Sequence, residues 1–306
     1  TMQRFLLRRL ILTIVTLWLV SILIFFMARI SGDPTTLLID DYASAQTLED
    51  LRVSLGLDKS YLEQYWIFLK NAVTGDFGMS IVQKQPVGTL IVKRLEATFQ
   101  LGLAAFFFSL AVGIPLGVLS SIKRGSALDQ IGKVVALIGQ SAPPFWIGIM
   151  LMFFFAVRLG WVPPSGRQEA SSIVLPAITL GWFFVAANLR LVRSAMLDVM
   201  DSEYIKLARA KGVSRAQVIW KHALRNALIP PLTFAGITLG SLITGSLVAE
   251  TVFAWPGLGQ LAFLAVRDSD YPLLQGVVLT FAVFYLASAF LVDILYAYID
   301  PRIRYA

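Results

Sequence analysis

Six stretches of the chain, roughly 10–30, 97–122, 131–158, 173–193, 229–251 and 275–298, are long and mainly apolar. A bilayer core of about 30 Å needs about 20 such residues in helical form, so each stretch reads as a membrane span. The composition agrees. The 306 residues are 57% hydrophobic and 15% charged, against about 25% charged in soluble domains. A soluble fold would have too little polar surface to cover that apolar material. Pro115 in the second span and Pro143-Pro144 in the third predict kinks, which membranes tolerate where neighbouring groups satisfy the freed carbonyls. Arg4, Arg8 and Arg9 ahead of Leu10–Met27 resemble a signal peptide. That run is longer than a signal core and lacks a small-x-small cleavage site, so it reads as an uncleaved first span.

The net charge of +7 does not point to nucleic acid, because the basic residues sit in short segments between the spans. That placement orients a membrane protein. Arg4, Arg8 and Arg9 precede span 1, and Lys123 and Arg124 follow span 2. Arg190, Arg193, Lys206, Arg209, Lys211, Arg215, Lys221 and Arg225 lie at or between the ends of spans 4 and 5, and Arg302 and Arg304 follow span 6. With six spans all four groups fall on one side, the cytoplasm, and both termini lie inside. The opposite side carries Asp33, Asp40, Asp41, Glu49, Asp50, Asp58 and Glu63. No cysteine is present, which excludes disulfides, thiolate catalysis and Cys-ligated metals.

Two connections are too long for simple turns. Residues 31–96 face outside and look folded: Ser60-x-x-Glu63 is a capping box, followed at helical spacing by Leu62, Tyr65, Trp66, Leu69 and Val73, with Gly75 and Gly78 ending the helix. Residues 198–228 face the cytoplasm. Asp201 or Ser202 can cap a short helix with Glu203 in its first turn, and Gly212 falls at the left-handed position after Lys211. Ser214-x-x-Gln217 opens a second helix. A helix, a sharp glycine turn and another helix suit a docking device, although a basic loop is also a plain topology signal that contacts lipid headgroups.

The loop resembles the EAA loop of bacterial ABC importer permeases, with Gly212 at the signature glycine. Ala208 to Gly212 and His222 to Pro230 are similar to the dipeptide/oligopeptide branch, which tolerates the departures at Lys206, His222 and Arg225 or Asn226. Further elements follow in the family's order: Gly32-Asp33-Pro34, Leu55-Gly56-Leu57-Asp58, Gly75-Asp76-Phe77-Gly78, Gln85-Pro86-Val87, Glu250 to Gly259, Asp270-Tyr271-Pro272 and Asp300 to Arg304. The resemblance implies an all-α membrane protein with six transmembrane helices and the MetI-like permease fold, with an extracytoplasmic insertion after helix 1. The parts expected are a cytoplasmic N-terminus with helix 1 over 1–30, the insertion over 31–96 and a permease core over 97–306. That core contains the coupling loop 198–228 and an outer loop 252–274.

The resemblance also implies partners. A second homologous permease and two ABC ATPase subunits complete the transporter, and an extracytoplasmic binding protein delivers short peptides, or alternatively nickel, a metal chelate or glutathione. Glu203, Tyr204, Lys206, Ala208, Arg209, Lys211 and Gly212 would couple to the ATPase. No G-x-x-x-x-G-K-[ST] phosphate loop occurs, so ATP and Mg belong to the partners, and this chain carries no catalytic residues and binds no cofactor. The expected location is the bacterial inner membrane.

Other chemistry has plainer readings. His222 is the only histidine and has no converging ligands in sequence, so no metal site is expected and a structural or docking role is favoured. Glu250 and Asp293 lie near the ends of spans 5 and 6, where helix-end roles compete with function. A secondary transporter or channel working without ATP would want such groups near the midplane. Thr238, Ser241 and Thr244, with Glu250, could line a weakly polar translocation path, and the same small residues serve close helix packing. Trp255, Pro256, Gly257, Asp270 and Tyr271 suggest an outer capping element that meets the binding protein.

Overall fold

The computed structural model describes residues 2–30, 53 and 57–299. Gly32-Asp33-Pro34, Leu55-Gly56 and Asp300 to Arg304, which carried part of the resemblance, lie outside the described residues. Among the described residues the regular structure is helical, with one isolated bridge between Met79 and Pro86. Five helices among the described residues are long and apolar enough to cross a membrane, or six if a bent pair forms one span. The chain divides into two compact units, residues 1–98 with 256–306, and residues 99–255.

The first unit holds α1 (Met2–Ile30), α2 (Tyr61–Val73), the start of α3 (Val87–Ile122), and two helices near the C-terminus, residues 258–267 and 271–299. The helix over 271–299 runs antiparallel to α1, and an Arg9–Asp293 ion pair of 3.3 Å ties their ends. Asp293 therefore has a helix-end role. Val87, Leu90 and Ile91 form a core with Leu258, Leu261, Ala265, Leu273 and Val277. α2 begins at the capping box read from sequence, with Ser60 and Glu63 bonding reciprocally.

The second unit holds the rest of α3, then α4 (Ala127–Ser141), α5 (Pro144–Leu151), a π-helical turn (Met152–Arg158) and α6 (Val174–Met200). α7 (Glu203–Ala210), α8 (Arg215–Gln217), a second π-helical stretch (Val218–Ala223) and α9 (Leu224–Ala227) follow. α10 (Ile229–Thr244) and α11 (Leu247–Val252) complete it. The later helices of the first unit are then α12 (Leu258–Arg267) and α13 (Tyr271–Ile299).

Pro115 sits inside a continuous α3, but the third span is broken rather than kinked. Asp129–Ser141 and Pro144–Arg158 meet at 112°. Ala142 and Pro143 each precede a proline and are both extended, with ψ of 132° and 135°. A following proline disfavours the helical region, and two in succession end the helix outright. α3 and α6 approach closely at Gly113 and Gly117: a Cβ at either would come within 2.8 Å of Asn188 or 2.7 Å of Val192. That is the small-x-x-x-small contact that packs helices in lipid.

Candidate docking site and translocation cavity

α7 stands on a built foundation. Ile205, fully buried, packs with Val118 of α3, Val192 and Met196 of α6, and Val218, Ile219, Ala223 and Ala227 beyond the turn. The helix ends as the sequence predicts. Gly212 has φ +76°, its N–H donates to Arg209 O (3.0 Å), and the Val213 N–H donates to Ala208 O (3.2 Å). These are the two bonds of a Schellman motif, and Val213 and Ala208 both pack against the buried core beneath. At α8, Ser214 Oγ accepts from Gln217 N at 3.4 Å, which is the forward half of the expected box.

The side of α7 away from this core is uncovered. Glu203, Tyr204, Lys206, Leu207, Arg209 and Lys211 are exposed, with Trp220 nearby in the π-helical stretch, while Ala208 is half-buried. Lys206 pairs with Glu203 at 2.7 Å, and Tyr204 Oη accepts from Asn226 Nδ2 at 2.7 Å. The loop thus exposes apolar side chains, Leu207 at 56% among them, together with the cations Lys206, Arg209 and Lys211. His222 lies half-buried in the π-helical stretch.

A buried carboxylate that the sequence reading passed over braces this foundation. Asp129, fully covered, accepts from Ser120 Oγ (2.7 Å) and Gly125 N (3.0 Å). It also pairs with Arg193 (2.8 Å) and Lys133 (3.2 Å). The node locks the α3–α4 turn to α6 one helical stretch before the loop. A signal was available: Ser126-x-x-Asp129 is a capping pattern, and Ser126 caps α4. Its long-range partner was not visible.

A cavity of about 460 Å³ opens beside the broken span. Gln140, Ser141, Pro143 and Pro144 line one side, Thr179, Phe183 and Phe184 another, and Ser241, Gly245 and Val248 a third. Thr179 Oγ1 is buried there without a protein partner among the described residues. Of the path residues expected from sequence, Ser241 is on the wall. Thr238 and Thr244 donate to the carbonyls of Phe234 and Gly240 in their own helix. Glu250 is buried and accepts from Ser246 Oγ at 2.7 Å. A second recess of about 310 Å³ carries Lys133, Arg190 and Arg193 on walls of Ala136, Leu137 and Leu189, and shares Gln140 with the first.

The outer-loop residues do structural work. In the second unit Trp255 is buried, its backbone N–H donates to Glu250 O (2.8 Å), and its ring lies under the Arg167 guanidinium. In the first unit Asp270 is buried, accepts from Ser80 Oγ and from Val82 N (3.2 Å), and caps α13 through Leu273 N (3.3 Å). Gly257 is buried, Pro256 and Tyr271 are half-buried, and the exposed part of this segment is Ala254, Phe263, Val266 and Arg267.

Five or six apolar spans among the described residues, one of them broken, are those of a multi-pass helical membrane protein, and its cavity is weakly polar. Residues 113–305 match the family described as binding-protein-dependent transport system inner membrane component, and residues 2–102 match its N-terminal component. The chain belongs to this family and is a permease subunit of an ABC importer. It is 39% identical over 305 residues to the glutathione transport system permease protein GsiC of Escherichia coli K12, covering 99% of this chain and all of the relative. The GsiC protein of Shigella dysenteriae serotype 1 is related to the same extent. Among solved structures, the inward-facing MetNI methionine ABC transporter aligns with a TM-score of 0.57 at 24% identity. The alignment covers 69% of this chain and 96% of the other, and the likeness is one of fold.

Proposed function

We propose that this permease imports short peptides of the size and charge of glutathione, handed to it by an external binding protein. The full-length kinship with glutathione permeases carries the substrate reading. The site supports it. A cavity of about 460 Å³ suits a tripeptide, and the adjoining recess carries Arg190 beside Lys133 and Arg193, which share the single charge of Asp129 and leave the recess net positive. Glutathione has two carboxylates and one ammonium at neutral pH, so a cationic exit attracts it.

The partners follow the family pattern: a second homologous permease and two ATPase subunits that hold ATP and Mg. α7 seats in a cleft on an ATPase, burying Tyr204 and Leu207 while Lys206, Arg209 and Lys211 meet its rim. The protein sits in the bacterial inner membrane with its basic loops and both termini in the cytoplasm and 31–96 and 252–274 outside. Closure of the ATPases moves α7, and its rooting in α3 and α6 passes that motion to the cavity. Mass spectrometry of the ligand carried by the cognate binding protein tests the substrate. Glutathione or another short peptide is expected, and a metal chelate alone would overturn the reading.

A further inference from the structure

We propose that α2 is an interfacial helix, lying in the plane of the bilayer at the Ile30 end of α1 with one flank sunk into lipid. The contacts fix its attitude. Tyr61 stacks on Phe26 (6.5 Å between ring centroids), while Phe68, seven residues later, stacks on Phe25 (5.6 Å). The ring contacts thus spread over about 10 Å of α2 while meeting only Phe25 and Phe26 of α1, so the helices cross steeply. α1 spans the membrane, and a helix crossing a span steeply runs along the membrane plane.

Its roll is fixed as well. Gln64 Oε1 accepts from Arg29 Nε at 2.9 Å, next to the end of the span. Tyr65 Oη bonds Ser21 Oγ at 2.9 Å, eight residues deeper. Going round α2 from Gln64 to Tyr65 thus moves from the water side toward the bilayer centre. At 100° per residue the next positions in that direction are Leu69, Leu62, Val73 and Trp66. In the other direction come Asn71, Ile67, Glu63 and Lys70, with Ile67 the one apolar exception. Among the described residues nothing covers the apolar flank: Leu62, Trp66 and Val73 are 83%, 69% and 81% exposed. Phe26, against which Tyr61 packs, belongs with Leu19 and Leu23 to the exposed apolar surface of α1. An apolar flank turned to the bilayer and a polar flank turned to water are what an interfacial helix needs, with Trp66 at the headgroup level. The occupant of the flank is lipid.

The test uses the complete importer reconstituted in bilayers, with single cysteines introduced into a chain that has none. Spin labels at Trp66→Cys, Val73→Cys and Lys70→Cys are read for collision with oxygen and with a water-soluble nickel chelate, and Leu19→Cys marks the span. Oxygen collision at 66 and 73 should be severalfold above that at 70, with nickel collision correspondingly lower, as at 19. Nickel access at 66 and 73 equal to that at 70 would place the flank in water. Exclusion of both reagents there would mean that a protein partner covers it. Either result overturns the inference while Leu19→Cys still reports lipid.

Discussion

Gly212 is where a single substitution separates folding from docking. A Cβ there would meet nothing within 4 Å, so no steric clash enters the cost. The whole penalty is backbone: φ of +76° is a left-handed conformation that costs an L-residue roughly 1–2 kcal/mol, more for a β-branched one and little for Asn. The foundation beneath, Ile205 with Val192, Met196 and Val218, does not involve this residue, so Gly212→Val should insert and fold. If the strain is relieved by opening the Schellman turn, the docking-competent geometry is depopulated by about 5–30-fold. Affinity of the reconstituted permease for its ATPase subunits should fall by the same factor, and transport with it, with Gly212→Asn near wild type. The assay is titration of purified ATPase onto permease in nanodiscs, alongside thermal stability of the permease. ATPase binding by Gly212→Val equal to wild type would refute the reasoning and leave the loop a topology signal.

Leu207→Asp should abolish ATPase binding while leaving permease melting unchanged, because Leu207 is largely exposed. Ile205→Ala should do the reverse first, losing about 2–5 kcal/mol of stability as a fully buried core truncation; melting of the detergent-solubilised permease distinguishes the two. Asp129→Ala removes the centre of the Arg193, Lys133 and Ser120 node. Breaking a buried pair costs about 3–5 kcal/mol, and partial solvent access at Arg193 favours the lower end, about 3 kcal/mol, read as a lowered Tm. Arg190→Ala should slow uptake of anionic peptides more than of zwitterionic dipeptides in competition assays, since Arg190 lines the cationic recess.

What was legible in the sequence was local. Spans announce themselves by twenty apolar residues, and caps by one or two polar groups at fixed spacing, as Ser60-x-x-Glu63 and Gly212 show. The break at Ala142-Pro143 was half legible: tandem prolines imply a bend, but its 112° depends on two successive extended residues. The π-helical stretch over Val218–Ala223 leaves no compositional trace that sets it apart from an α-helix. Asp129 was missed because its main partner, Arg193, is 64 residues away. Trp255 reads as an aromatic of the outer mouth by composition, yet it is buried, because the backbone turn after Glu250 folds it inward beneath Arg167.

The central claim is that this chain is the membrane path of an ATP-driven importer for short peptides of the glutathione class. Uptake by proteoliposomes holding both permeases and enclosed ATPase subunits measures it directly, with labelled glutathione presented on the cognate binding protein. Accumulation should require internal ATP and external binding protein and fall by about 5–30-fold with Gly212→Val in this chain. Uptake that persists without ATP and follows an imposed proton gradient would contradict it.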